Sequence, residues 1–195
     1  MKNGTWKAIQ LLLMGSMLFL CVSCGGKSIM VPGLQPPLEE PPQGHALVTF
    51  VRATYFGGAI DFGIWDGDQV VGVIEPKKYI QYVAEPGEHI FLARAENWSY
   101  VKADLEAGKN YYILTNVGMG VWKARVYLVP ITKSQDKYTQ ENIDEWKTQF
   151  TPIMVDPAQL EGYRSRRVAQ VREAVEQYRT GNAEAAILAR DDFFE

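Results

Sequence analysis

Cysteine and histidine are nearly absent: the 195 residues contain two of each. Both cysteines, Cys21 and Cys24, precede Gly25, so the rest of the chain has no thiol nucleophile, no disulfide framework and no cysteine metal site. His45 and His89 are too far apart for a His-x-x-x-His pair, and no Gly-x-Ser-x-Gly occurs, so these metalloprotease and hydrolase signatures are missing. Positive charge is not in excess, since 20 basic side chains face 23 acidic ones. That balance gives nucleic acid no electrostatic footing. After Leu20 no apolar run is long enough to cross a bilayer.

What is there begins at the N-terminus. Lys2 and Lys7 precede an apolar run from Ile9 to Leu20, the length of a secretory h-region and short for a membrane span. The run closes on Leu20-Cys21-Val22-Ser23-Cys24-Gly25. This resembles the bacterial lipoprotein box, in which the cysteine thiol takes a diacylglyceryl group, the signal is cut just before it, and the freed amine is acylated. The resemblance implies a signal peptide over residues 1–23 and lipidation of Cys24. The family usually has Leu three residues before that cysteine; here Cys21 stands there and Leu20 lies one further out. Cys21 is the competitor, but it would put bulky Leu20 at a junction where small residues are favoured. An uncleaved anchor or a conventional signal is the remaining alternative. Burial of acyl chains contributes about 0.8 kcal/mol per methylene, and stable anchoring needs at least two signals, which multiple acylation provides. Gly25 in place of Asp points toward the outer membrane, facing the periplasm or the surface. Removing residues 1–23 leaves 18 of the 20 basic side chains against 23 acidic ones, a formal charge of −5 on 172 residues.

Residues 24–44 hold Pro32, Pro36, Pro37, Pro41 and Pro42, half of the 10 prolines. They read as a tether, extended at ~3.1 Å per residue and able to span up to ~60 Å. The competing reading is a proline-rich ligand for aromatic grooves.

Residues 45–132 change to short β-rich runs. Ala46–Tyr55, Ala59–Trp65, Gln69–Ile74, Tyr79–Ala84, His89–Ala95, Tyr100–Leu105, Tyr111–Val117 and Val121–Val129 read as about eight strands. Two alternate cleanly: Trp122, Ala124, Val126 and Leu128 against Lys123, Arg125 and Tyr127, and Val101, Ala103 and Leu105 against Tyr100, Lys102 and Asp104. Asp66-Gly67, Pro86-Gly87 and Ala107-Gly108-Lys109-Asn110 supply turn residues. Regular spacing without intervening helices predicts a mainly β fold, an antiparallel β-sandwich or small barrel, with the sandwich preferred. The run Trp65 to Gly72, then Glu85-Pro86-Gly87-Glu88-His89, then Leu105 to Tyr112, resembles small β-sandwich domains of unknown function carried by bacterial lipoproteins, and is similar to PEGA-type surface domains. The resemblance implies a non-enzymatic envelope module and supplies no catalytic residues.

Residues 133–195 read as a helical C-terminal extension. Thr139 caps a helix from Gln140 to Phe150, and Asp156-Pro157 opens a longer one ending near Thr180-Gly181. Leu160, Tyr163, Val168, Val171, Val175 and Tyr178 recur on one face of the longer helix, and Asn182 starts a last short helix through Ala189. The helices pack on the sandwich, or the long one docks a partner through its locally basic Tyr163–Arg167 stretch.

Candidate site residues are few. His89 follows a tight turn; Trp98 and Tyr100 are the aromatics expected to be exposed, because Asn97-Trp98-Ser99 reads as loop and Tyr100 alternates with inward Val101. Asp61, Asp66 and Asp68 lack the remaining oxygen ligands of a calcium loop, and Asp66-Gly67-Asp68 reads as a hairpin turn. Ser99 has no neighbouring base in sequence. No metal or cofactor is implied. The sequence predicts a membrane-anchored envelope lipoprotein acting as an interaction or structural module, with an envelope protein or the cell wall as partner. The alternatives are an envelope hydrolase using His89 or a carboxylate pair, and a carbohydrate-binding module.

Overall fold

The computed structural model describes residues 28–120, 124–135 and 137–195; the signal peptide expected over residues 1–23, with Cys21, and also Cys24 and Trp122, lie outside the described residues. Among the described residues eleven strands and three helices follow in order: β1 (Met30–Pro32), β2 (Ala46–Arg52), β3 (Phe62–Asp66), β4 (Gln69–Ile74), β5 (Lys78–Ala84), β6 (Gly87–Arg94), β7 (Trp98–Leu105), β8 (Asn110–Met119), β9 (Ala124–Pro130), α1 (Gln140–Gln149), β10 (Thr151–Val155), α2 (Pro157–Ser165), α3 (Val168–Arg179) and β11 (Ala186–Leu188). The strands form two sheets, ordered β1-β10-β5-β2-β8-β9 and β11-β7-β6-β3-β4. The chain is mainly β, and each of the eight expected runs contributes a strand.

Period-two patterning sets the central layer. Val48, Phe50, Ile113 and Val126 of the first sheet meet Ile64, Phe91, Val101 and Ala103 of the second in one buried cluster. Phe50 and Phe91 meet edge-on at 5.2 Å, a geometry that adds ~0.5–1.5 kcal/mol to their area burial. All seven residues of β2 are buried, which is the pattern of a strand covered on both faces. Its second face is covered by α1, where Ile143 and Trp146, with Phe150 just beyond, pack on Val51, Tyr79, Tyr112 and Leu114. Across the molecule α2 and α3 cover the second sheet, Tyr163, Val171, Ala174 and Val175 packing on Trp65, Leu92 and Tyr100. Helix, sheet, sheet and helix form four layers.

Several features differ from the sequence reading. Among the nine strand pairings of the described residues, β2–β8, β5–β10 and β7–β11 are parallel; β10 and β11 return from the C-terminal extension, β10 to lie between β1 and β5 and β11 to the edge beside β7. The expected last short helix is replaced by β11, whose Leu188 enters the central core while Ile187 faces solvent. The expected long helix is two, broken between Ser165 and Val168; Thr139 and Asp156 do open helices, and Asp156 accepts from the Ala158 N–H. The proline-rich segment lies along the domain from Ser28 onward. Met30–Pro32 pair with β10, Gln81 exchanges two hydrogen bonds with the Leu38 backbone, and Asn110 donates to the Glu39 carbonyl. A spacer reach of ~60 Å is therefore not available to these residues, since a segment fixed by backbone pairing cannot also extend from the domain.

Candidate binding site

Helix packing on the second sheet leaves a lined cavity of about 400 Å³. β3 contributes Gly63 and Trp65, the end of β6 gives Arg94, the start of β7 gives Trp98, and Tyr163, Arg167 and Gln170 come down from the helices. Trp65 and Tyr163 stack at 5.9 Å and 24°, joining sheet to helix. Tyr163 fits because residue 63 is glycine: a Cβ there would run into the tyrosine hydroxyl. Each aromatic at the rim carries a guanidinium, Arg94 over Trp98 at 5.4 Å and Arg167 over Tyr163 at 4.1 Å. Arg94 also donates to the Gln170 side-chain Oε1. Among the described residues no carboxylate lies within 4.0 Å of either arginine. Asp61 lies on the cavity wall, where burial first and Glu75 second push its carboxyl above the usual range. The cavity thus offers two oriented cations on aromatic supports, an arrangement that receives a carboxylate or other planar anion.

Trp98 therefore lines a cavity, but Tyr100 does not. Tyr100 is 6% exposed; its hydroxyl donates to the Ala174 carbonyl at 3.3 Å and its ring stacks on Tyr178 at 5.9 Å. Alternation placed it correctly on the outer face of its sheet, and α3 then covers that face. The turn carboxylates have separate uses. Asp68 accepts from Arg164 at 3.1 Å and Arg172 at 2.7 Å, pinning both helices to the β3–β4 hairpin, and the Arg172 hydrogen bond is the main reason its pKa is lowered. Asp66 accepts from the Tyr82 hydroxyl at 3.0 Å and from His89 Nδ1 at 2.7 Å.

His89 is fully engaged. Its Nε2 meets the Glu85 carbonyl at 2.8 Å and its ring stacks on Phe91 at 5.6 Å. Both ring nitrogens face acceptors, so the doubly protonated ring satisfies both bonds, and the pKa is raised, chiefly by the Asp66 hydrogen bond against an opposing desolvation. No ring nitrogen is left to act as a base. Because the folded-state pKa exceeds the unfolded one, this stabilisation is complete below about pH 6.5 and fades as pH rises through the folded value. The melting temperature of the wild type relative to His89→Gln should accordingly fall between pH 6 and pH 9 in thermal scans; a flat difference would contradict the assignment. Ser99 Oγ accepts from the Leu128 N–H at 2.8 Å, tying β7 to β9, and half-buried His45 sits 3.3 Å from Glu85.

Arg94, Arg167, Gln170, Trp65 and Tyr163 were not singled out as site residues from sequence. The available signals were Trp98 and the basic Tyr163–Arg167 stretch, each read alone. Their meeting across the helix–sheet junction has no local signature. No protein-family model matches the chain, and neither does any curated protein or solved structure.

Proposed function

We propose that this is a lipid-anchored envelope protein whose domain is a non-enzymatic binding module, with the Arg94–Arg167 cavity as its receptor for a carboxylate-bearing envelope ligand. The anchor rests on the Cys24 sequence context, outside the described residues. The observation that carries the binding reading is the pair of guanidiniums held over aromatic rings with no carboxylate partner among the described residues. Surface arginines free of ligand are usually mobile, whereas stacking fixes these two in advance and lowers the entropy lost on binding. The aromatic faces are taken up by one another and by the guanidiniums, which favours recognition by charge over stacking on a sugar ring. His89, the only histidine in the sheet, is committed to Asp66 and Glu85.

Calorimetric titration with soluble peptidoglycan fragments, whose stem peptides carry free carboxylates, tests this. Wild-type protein should bind them, Arg94→Ala and Arg167→Ala should each weaken binding about tenfold or more, and methyl-esterified fragments should fail to bind. No binding by the wild type, or unchanged binding by the double variant, would overturn the proposal.

A further inference from the structure

Between β2 and β3 the chain makes a loop with its apolar side chains outward. Tyr55 is 72% exposed, Phe56 50% and Ile60 40%, and Met119, at the end of neighbouring β8, is 82% exposed. The loop runs alongside β8, for a Cβ at Gly57 would meet Val117 at 2.9 Å. It is held firmly from beneath. Arg52, fully buried, donates through Nη1 to the Ile60 and Ile74 carbonyls at 2.6 and 3.3 Å, and through Nη2 to those of Phe56 and Gly57 at 3.2 and 2.8 Å. Exposed aromatics on a loop fixed by a buried cation are displayed for contact.

The position of Ser28 identifies what they contact. Ser28 is the first described residue and is docked: its hydroxyl donates to Glu75 at 3.3 Å and its carbonyl accepts from Gln159 at 3.3 Å. Glu75 and Pro76 adjoin the apolar loop, with Glu75 acting on Asp61 and Pro76 Cγ 3.9 Å from a Cβ built at Gly58. From Cys24 to Ser28 is four residues, which span at most ~14 Å. A lipid on Cys24 therefore draws the end of the domain next to Glu75 and the loop to the headgroups.

We infer that the Tyr55–Ile60 loop, with Met119 beside it, is a second membrane contact that enters the interface of the bilayer carrying the anchor. The inference rests on the lipid anchor proposed above. Amphipathic and apolar rings at that depth are favourable, and the tyrosine keeps its hydroxyl at the wet boundary. Lys77, whose ammonium lies 5.5 Å from the Tyr55 ring centre, faces the headgroups, while Asp61 and Glu75 flank the other side; the contact is apolar insertion with little net charge attraction. The domain is then held by two points, the acyl chains and the loop, and cannot rotate freely about its anchor.

The test uses the full lipidated chain in a Cys21→Ser background, purified from membranes and reconstituted in phosphatidylethanolamine–phosphatidylglycerol vesicles. A polarity-sensitive fluorophore is placed at Phe56→Cys, Met119→Cys or, as control on the β7–β8 turn at the opposite end, Ala107→Cys. Blue-shifted emission and quenching by spin-labelled lipid at 56 and 119, with neither at 107, is the expected result. Intact-mass measurement reports acylation of the same samples. An acylated protein with no shift at 56 and 119, or with equal quenching at 107, overturns the loop contact while leaving the anchor standing. A chain without acyl groups overturns both. Detergent-free controls of the unlabelled wild type by circular dichroism against each cysteine variant show that the fold is retained.

Discussion

Replacing Arg52 by alanine is expected to lower the unfolding free energy by about 3–5 kcal/mol, roughly 10 °C or more in melting temperature for a domain of this size. The residue is buried and its guanidinium supplies donors to the carbonyls of Phe56, Gly57, Ile60 and Ile74 while lying 4.9 Å from the centre of the Phe62 ring. Removing it strands acceptors beneath the loop and opens a void, and both effects destabilise. Burial lowers the Arg52 pKa and Asp61, with a carboxyl oxygen 4.0 Å away, opposes that shift, so the cation is kept by its carbonyl cage more than by an ion pair. Lysine should recover only part of the loss, because one ammonium cannot reach carbonyls on both sides of a planar fork. Chemical denaturation of the two variants checks this, and a loss below about 1 kcal/mol for alanine would show that the loop closes without its buried cation. The arginine ends a buried strand whose other residues, Thr49 apart, are apolar. Its position follows from the loop, whose backbone would otherwise lack donors.

The parts of this molecule legible in sequence are those governed by local rules. The run Gln69–Ile74 coincides with β4 at both ends; Asp66 and Gln69 close the hairpin around Gly67 with its φ of 53°; Asp156 and Pro157 open α2. Alternation also identified Val101, Ala103 and Leu105 as inward. What was not legible depends on meetings between distant segments. β1 and β11 are three residues each, too short for a period to show. β10 contains Pro152, which reads as a break and is tolerated because a short strand at that point needs few donors. The parallel pairing of β2 with β8 carries no sequence mark that separates it from a hairpin ladder.

Tyr100 and the proline-rich segment illustrate the same limit. For Tyr100, period two distinguishes the two faces of a sheet but is silent on whether a helix covers the outer one. For residues 30–39, proline content signals an extended backbone, and that backbone is equally suited to a free spacer and to an edge strand. The contacts of Met30 with β10 and of Leu38 with Gln81 decide between them. The cavity arginines belong to this class as well. Arg94 and Arg167 become a pair only when α2 and α3 fold onto β6 and β7, and the break between those helices lets Arg164 and Arg172 hold Asp68 while Arg167 turns to Tyr163.

These features bear on the proposed N-terminal anchor. With Ser28 docked, the lipidation proposed at Cys24 would fix the domain close to the bilayer and present cavity and loop at that distance. Lipidation of Cys24, as proposed, makes loss of that residue an all-or-none effect. Metabolic labelling with radioactive palmitate, followed by immunoprecipitation of the full chain, tests it most directly. Label is expected in the wild type and in Cys21→Ala, with none in Cys24→Ala and release of the Cys24→Ala chain from the membrane fraction. Label that persists in Cys24→Ala and vanishes in Cys21→Ala, or a wild type that takes up none, would contradict it.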